Sequence, residues 1–188
     1  MIFSTVEFNH KKFEKYLKDK TILLDFGCGV GIWKKRIPKK ILKIFLFDSN
    51  LKLQKLLKKK YSNNEKIFVI KNINEIKKLK VNTVIVNSVF QYVKQKEIIK
   101  LINIFNNNKI KRIFIMDIPK GGKLLEVILN IFNYQYIFNI VSYIFNINYH
   151  KIKYYKHDYK FIKKTPYSSK MIDNFNNIKN RYGIYLFK

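Results

Sequence analysis

Apolar residues along this chain fall into short unbroken runs separated by longer stretches in which they recur at helical spacing. Stretches with helical spacing, rich in lysine and asparagine, lie between the first four apolar runs and before the fifth. Strands that alternate with helices predict a parallel sheet with right-handed crossovers, hence a doubly wound α/β fold. The five runs, each apolar enough for a buried parallel strand, cover residues 21–26, 43–48, 67–70, 83–87 and 111–117.

Helical spacing also appears before the first strand and directly after it. Residues 9–18 predict a short amphipathic helix within an N-terminal helical segment, residues 1–20. Residues 32–40 predict the helix that follows the first strand, and Pro38 ends it. The first of these helices is expected to lie on the front of the domain.

The carboxyl-terminal part of the chain predicts three more elements. Residues 158–164 have helical spacing, whereas residues 167–173 and 181–187 predict strands. Gly183 is an unusual residue inside the last of these strands, because glycine weakens a strand interior.

A strongly apolar segment, residues 124–147, follows the fifth strand. A membrane span needs about 20 mostly apolar residues, so the segment is long enough to raise that question. Its polar residues, however, follow two helical stripes that are out of phase with each other. We therefore expect two amphipathic helices, or one kinked helix, in an insertion over residues 121–150.

The composition agrees with one globular domain over residues 1–188. Hydrophobic residues make up 47% of the chain, which excludes wholesale disorder although 27% of the residues are charged. Cys28 is the single cysteine, so no internal disulfide can form, and residues 1–7 lack the basic start and apolar run of a secretory signal. We therefore expect a cytoplasmic protein.

The formal net charge of +27 admits two explanations. Clustered Lys and Arg attract anions, which is typical of proteins that bind nucleic acid or an anionic membrane surface. The chain, however, contains no alanine and is rich in Ile, Lys, Asn, Phe and Tyr, the residues of A/T-rich codons. Base composition therefore accounts for the lysine content as readily as a functional basic surface does.

The strongest local pattern is a strand followed by Asp25-x-Gly27-x-Gly29-x-Gly31 and a predicted helix. Alternate glycines let the backbone turn tightly and approach a ligand, while a helix amino terminus offers free N–H groups and a partial positive charge. A dinucleotide-binding loop, G-x-G-x-x-G, would need its third glycine where this chain has Ile32. The spacing thus excludes the dinucleotide form and predicts another bulky, partly anionic cofactor. A structural glycine turn and the loop of another nucleotide-binding protein are the alternatives for this pattern alone.

The segment from Asp25 to Gly31 resembles the first motif of class I methyltransferases that use S-adenosylmethionine (SAM). The resemblance implies a Rossmann-like sheet, mostly parallel with an antiparallel last strand, and helices on both faces. It also implies that the glycines face the amino-acid part of SAM. The cofactor-binding residues that it implies in this chain are Asp25, Gly27, Cys28, Gly29, Gly31, Asp48, Ser49, Asn72, Ile73, Asn87 and Ser88.

Two of these residues, Asp48 and Asn72, also have a possible structural role in place of cofactor binding. Asp48 ends the second predicted strand, where a carboxylate can accept both ribose hydroxyls; a helix N-cap is the alternative role, with Ser49 and Asn50 as rivals. Asn72 stands where many family members carry an aspartate that holds the adenine, and its amide oxygen can accept the same hydrogen bond. An ordinary loop asparagine is the alternative there. Residues 86–93 resemble the segment that lines the methyl-transfer site in many members.

Catalytic residues are harder to assign than cofactor residues. The methyl donor is already activated, so alignment of acceptor, methyl and sulfur matters more than a fixed catalytic set. A hydroxyl or amine acceptor would gain about 10²–10⁴-fold from a general base, and His157, Asp117 and Tyr92 are candidates by type and position. One cysteine and three scattered histidines offer no spaced ligand cluster, so we expect no metal site.

The resemblance implies methyl transfer from SAM. We expect a small-molecule, sugar or lipid acceptor, since no RNA-binding module is recognisable and the insertion is apolar. Because the insertion follows the fifth strand, we expect it to cover the acceptor pocket. One alternative is an RNA methyltransferase that uses the positive charge. Another is a noncatalytic SAM-fold subunit or membrane-surface binding protein, with residues 124–147 in peripheral membrane contact. The sequence specifies no oligomeric state.

Overall fold

A computed structural model of the chain describes residues 9–31, 33, 37–119, 159–173 and 181–188. The predicted insertion over residues 121–150, with its apolar segment 124–147, lies outside the described residues, as does His157.

A seven-stranded sheet in the order β3-β2-β1-β4-β5-β7-β6 forms the centre of the described structure. Strands β1 to β5 pair in parallel, whereas β7 lies antiparallel between β5 and β6. The prediction of a mostly parallel sheet with an antiparallel last strand is confirmed. The strands are β1 (Thr21–Phe26), β2 (Ile41–Phe47), β3 (Ile67–Val69), β4 (Thr83–Asn87), β5 (Arg112–Pro119), β6 (Ser168–Asp173) and β7 (Arg181–Phe187).

Helices connect the strands along the described chain. The α-helices are α1 (His10–Glu14), α2 (Leu51–Lys60) and α3 (Gln95–Asn107), and the 3₁₀ helices are Ile73–Lys78, Phe90–Tyr92 and Tyr159–Lys164. Helix α1 is shorter than the predicted 9–18, because the backbone after it tightens into turns in which Tyr16 N donates to Phe13 O and Leu17 N to Glu14 O. None of the helices within the described ranges has the length and apolarity to cross a membrane.

The sheet carries a separate hydrophobic core on each face, because successive side chains of a strand point in opposite directions. One core holds α3 against the sheet and includes Leu24, Phe26, Val84, Val86, Ile98, Ile102 and Phe105. The other holds α1 and α2 and includes Phe13, Leu23, Trp33, Ile44, Leu46, Leu57 and Ile85. Helices therefore cover both faces, as predicted for a doubly wound fold.

The helix predicted over residues 32–40 does not reach its predicted end. Residues 37–40 belong to no helix, and β2 begins at Ile41, two residues before the predicted strand. Ile41 N donates to Pro38 O at 2.9 Å, and Thr21 N donates to Lys40 O at 2.9 Å, so this stretch turns directly into β2. Proline disfavours helical geometry in the residue before it, which explains why Ile37 is not helical.

Gly183, unusual by sequence, is explained by close packing in the middle of β7. A Cβ atom there would lie 2.8 Å from Met116 Sδ and 3.1 Å from both Ile115 O and Ile172 Cγ1. The pairing of β5 with β7 is irregular at this point, between Ile115 and Ile118. Glycine therefore allows β7 to fit between its two neighbours.

Candidate functional site

The loops that carry the predicted site start at one edge of the sheet. Phe26, the last residue of β1, pairs with Phe47 at the end of β2 and with Val86 near the end of β4. The segments after these three strands therefore begin side by side at their carboxyl ends. Ligands of open α/β sheets bind at this edge, close to the point where strand order reverses.

The glycine loop, residues 27–31, turns sharply after β1. Its three glycines have positive φ angles, +71° at Gly27, +55° at Gly29 and +72° at Gly31. The loop closes over the end of β2, because Gly27 N and Cys28 N both donate to Phe47 O, at 2.7 and 3.1 Å. Gly31 N donates to Cys28 O at 2.9 Å and completes the turn.

The surroundings of the three glycines differ in a way that locates the open side of the loop. A Cβ at Gly27 would lie 2.4 Å from Val89 Cγ2, and one at Gly31 would lie 2.9 Å from Tyr61 Oη. A Cβ at Gly29 would meet no atom of the described residues within 4 Å. Gly27 and Gly31 are thus required by packing, whereas Gly29 borders open space that a ligand can enter.

Asp48 lies beside the glycine loop and accepts two backbone hydrogen bonds. Its Oδ2 accepts from Gly29 N at 3.0 Å, and its Oδ1 accepts from Asn50 N at 2.9 Å. The N-cap of α2 is Asn50, whose side-chain oxygen accepts from Lys52 N and Leu53 N, so Asp48 is not needed as a helix cap. Ser49 is exposed between them. A carboxylate has about four acceptor positions, so Asp48 can still receive ligand hydroxyls.

Asp25 lies beneath the loop and is buried. Its Oδ2 accepts a hydrogen bond from Trp33 Nε1 at 2.8 Å. Burial raises the pKa of Asp25 to about 7, against the effect of the Trp33 hydrogen bond and with a further contribution from the negative charge of Asp48. Asp25 therefore links β1, which precedes the loop, to Trp33, which follows it.

Cys28 contributes to the loop through its backbone. Its thiol is buried, and this burial, followed by the charges of Asp25 and Asp48, raises the pKa of Cys28 above its ordinary value. A neutral buried thiol is a weak nucleophile, so the arrangement indicates a packing role.

Two residues of α2 that sequence reasoning missed fix the geometry of this site. Gln54 is buried, and its Nε2 donates to Asp48 O at 2.7 Å and to Lys71 O at 3.2 Å, which ties the ends of β2 and β3 together. Lys60 Nζ donates to Val30 O at 2.5 Å and to Gly31 O at 2.7 Å. The polar Gln54 on the apolar stripe of α2 was a usable signal, whereas Lys60 is one of three consecutive lysines.

Asn72 and Ile73 follow β3 at the same edge. Asn72 Oδ1 accepts from Asn74 N at 2.9 Å, while Glu75 Oε1 accepts from Asn72 N at 2.8 Å, which is a capping box for the 3₁₀ helix that begins at Ile73. Ile73 is half-buried and packs against the core on the α3 face. The amide oxygen of Asn72 thus has a local structural role, which favours the ordinary-loop alternative.

A polar cluster made of Ser88, Asp117 and Arg181 lies at the ends of β4, β5 and β7. The Ser88 hydroxyl donates to Asp117 Oδ2, and Ser88 N donates to Met116 O at 3.2 Å. Arg181 Nη1 lies 3.6 Å from Asp117 Oδ2 and donates to Asp117 O at 3.1 Å. Both Ser88 and Asp117 have left-handed backbones, with φ of +58° and +62°. Such strained non-glycine residues concentrate at functional sites.

The remaining candidates lie around this cluster or outside the described chain. Asn87 is half-buried as the last residue of β4, and Tyr92 is half-buried at the end of the 3₁₀ helix Phe90–Tyr92. The cluster joins two sequence-predicted residues, Ser88 and Asp117, and adds Arg181, which sequence reasoning missed. In the part of the chain that the structure describes, no three His, Cys, Asp or Glu side chains are grouped so as to hold a metal ion.

Comparison by sequence finds no matching protein family and no matching curated protein. Comparison by structure finds a SAM dependent methyltransferase from Aquifex aeolicus, with a TM-score of 0.59 and 14% identity, over 97% of this chain and 90% of that one. The methyltransferase domain of bacterial CtHen1 matches with a TM-score of 0.57 and 13% identity, over 89% of this chain and 90% of that one.

A third similar structure is magnesium protoporphyrin IX methyltransferase (ChlM) from Synechocystis PCC 6803 with bound S-adenosylhomocysteine (SAH). Its TM-score is 0.56 at 16% identity, over 89% of this chain and 73% of that one. The chain therefore has the fold of class I SAM-dependent methyltransferases, which confirms the fold that the glycine motif implied.

Proposed function

We propose that this chain, which has the class I methyltransferase fold, binds SAM and transfers its methyl group to an acceptor. The observation that carries the proposal is the glycine loop, where Gly29 borders open space beside the Asp48 carboxylate. A cofactor with an amino-acid end and a ribose fits such a site, because the loop is open at Gly29 and the Asp48 carboxylate keeps acceptor positions for ribose hydroxyls.

The residues of the site divide between two parts of this cofactor. The backbone of residues 27–31 would hold the amino-acid end, and Asp48 would accept hydrogen bonds from the ribose hydroxyls. When bound, SAM supplies an activated methyl group on a sulfonium centre. The chain's own contribution is to align the acceptor with that methyl group and to exclude water.

The acceptor that we propose is a small molecule, sugar or lipid. Support comes from the cluster of Ser88, Asp117 and Arg181, in which a buried carboxylate stands beside two half-buried polar side chains, the kind of polar groups that orient a small ligand. One of the similar structures is a methyltransferase whose name states a porphyrin substrate. We also propose that residues 121–150 cover this acceptor side and that the protein is cytoplasmic.

An RNA acceptor is the second candidate, and the exposed lysines of α2 favour it. Lys52, Lys55, Lys58 and Lys59 are all exposed on one helix that carries no acidic residue. Binding through phosphate contacts would weaken steeply, about 10³–10⁵-fold, as salt rises from about 50 to about 200 mM for a protein that makes six to ten such contacts. Weak or salt-insensitive RNA binding would exclude this candidate.

Methyl transfer to separated cell fractions tests the proposed acceptor class. The purified chain is incubated with methyl-labelled SAM and, in parallel, with a metabolite fraction, a lipid extract and total RNA. We expect label in the metabolite or lipid fraction, and a variant that lacks residues 121–150 is expected to bind SAH yet transfer no label. Label in RNA alone would show that the acceptor is RNA and would overturn the proposed acceptor class. Loss of SAH binding by the folded deletion variant would contradict the proposal that residues 121–150 cover the acceptor side.

A further inference from the structure

The glycine loop is fixed on two sides, by a residue just before α2 and by the last residue of that helix. Asp48, which precedes α2, accepts from Gly29 N at 3.0 Å, and Lys60, the last residue of α2, donates to Val30 O at 2.5 Å and Gly31 O at 2.7 Å. Charged groups make shorter and stronger hydrogen bonds to the backbone than neutral groups do. The two ends of α2 therefore hold the loop between them.

Helix α2 is itself held rigidly against the sheet. Gln54, in its second turn, donates to the backbone oxygens of Asp48 and Lys71, and Leu57 is buried in the core shared with α1. Tyr61, directly after α2, is also buried, and its hydroxyl would lie 2.9 Å from a Cβ at Gly31. A support of this kind can set the loop to one conformation.

We propose that Lys60 is a positioning residue for the cofactor, which holds the glycine loop in its binding conformation without touching the cofactor itself. This inference rests on the proposed function. A glycine-rich loop loses much conformational entropy when it becomes ordered, and a site that is ordered beforehand avoids that cost on binding. Lys60 orders the loop at Val30 and Gly31, next to Gly29, where the loop borders open space.

A purely structural explanation for Lys60 must be distinguished from this one. Cations near the carboxyl end of a helix stabilise it through the helix dipole, and Lys58, Lys59 and Lys60 all stand in the last turn of α2. That effect depends on charge, so it would be shared by the neighbouring lysines. The hydrogen bonds to Val30 O and Gly31 O belong to Lys60.

Matched substitutions on α2 separate the two explanations. Lys60→Met and Lys59→Met remove the same charge from adjacent exposed positions, and Lys60→Arg keeps both the charge and the donors. SAH affinity is measured by calorimetry for the wild type and the three variants, and thermal unfolding without ligand is measured in parallel. We expect SAH affinity to fall about tenfold or more in Lys60→Met, since a hydrogen bond to a charged group is lost.

The controls have their own expected results. Lys59→Met is expected to bind SAH as the wild type does, and Lys60→Arg to recover most of the affinity, with similar unfolding temperatures for all four proteins. Equal affinity of the wild type and Lys60→Met, or an equal loss in Lys59→Met, would overturn this inference alone. If the folded wild type binds no SAH, the proposed function is overturned and this inference with it.

Discussion

Trp33 donates its indole N–H to the buried carboxylate of Asp25 at 2.8 Å, and this pair lies directly beneath the glycine loop. Trp33 also contacts Phe13 of α1, with ring centroids 6.4 Å apart. The carboxylate of Asp25, the first residue of the glycine motif, is therefore linked through Trp33 to the core that holds α1 and α2. Its ionisation affects both the stability of the fold and the electrostatics of the loop.

Asp25 makes stability depend on pH in a direction that is unusual for an acidic residue. Burial raises its pKa from 3.8 to about 7, so the folded state favours the protonated carboxyl. Its stabilising contribution is complete below pH 3.8 and is lost as the pH rises through about 7. At about 1.4 kcal/mol for each pKa unit, the full change is on the order of 4 kcal/mol.

Asp25→Asn tests this dependence, because an amide oxygen can still accept from Trp33 Nε1 but cannot ionise. Urea unfolding from about pH 5 to about pH 8 should show the variant gaining stability relative to the wild type as the pH rises. A difference between the two proteins that is constant over this range would contradict the raised pKa.

The glycine loop predicts opposite consequences for the same substitution at two positions. Asparagine tolerates left-handed backbone geometry, so Gly27→Asn and Gly29→Asn both avoid most of the conformational cost. At Gly27 the new Cβ would lie 2.4 Å from Val89, whereas at Gly29 it would enter open space. Gly27→Asn should lower the free energy of unfolding by about 1–3 kcal/mol, the usual cost of overpacking.

Gly29→Asn should keep the stability of the wild type to within about 1 kcal/mol but weaken SAH binding strongly, because its side chain occupies the space beside Asp48. Urea unfolding and SAH calorimetry on both variants give the two readouts. Wild-type SAH affinity in folded Gly29→Asn would show that the cofactor does not approach the loop there.

Arg181 is expected to stabilise the fold through the buried Asp117 carboxylate. Its Nη1 lies 3.6 Å from Asp117 Oδ2, and both side chains are largely shielded from solvent. Arg181→Met removes this compensating charge, which should lower the free energy of unfolding by about 3 kcal/mol. The double variant Arg181→Met with Asp117→Asn should recover part of that loss, because the carboxylate charge is removed as well. Equal losses in the single and double variants, measured by urea unfolding, would contradict the ion-pair explanation.

The sequence was sufficient to predict strands whose bounds are marked by a change between apolar and polar residues. The bounds of β4 and β7 agree with the predicted residues 83–87 and 181–187, because polar residues flank the apolar part of each strand, with Asn87 at the end of β4, Arg181 at the start of β7 and Lys188 directly after it. The pairing of Asp48 with the glycine loop also follows from sequence, since the carboxyl ends of neighbouring parallel strands meet at one edge.

Contacts set by the path of the chain between elements could not be predicted in this way. Trp33 reaches Asp25 through a turn whose geometry depends on the glycines, and residues 37–40 of the predicted helix are not helical. Lys60 and Arg181 belong to a chain with 39 lysine and arginine residues, so composition gives no reason to choose them. Their roles follow from which carbonyl or carboxylate they reach in the folded state.

Binding of SAH to the wild type and to Asp48→Ala is the measurement that tests the central claim most directly. Calorimetry should show saturable binding by the wild type, at least about tenfold weaker binding by Asp48→Ala, and unchanged binding by Asp19→Ala, which removes an exposed carboxylate elsewhere. A folded wild-type protein that gives no heat of binding with SAH or SAM would contradict the proposed cofactor and the methyltransferase activity that depends on it.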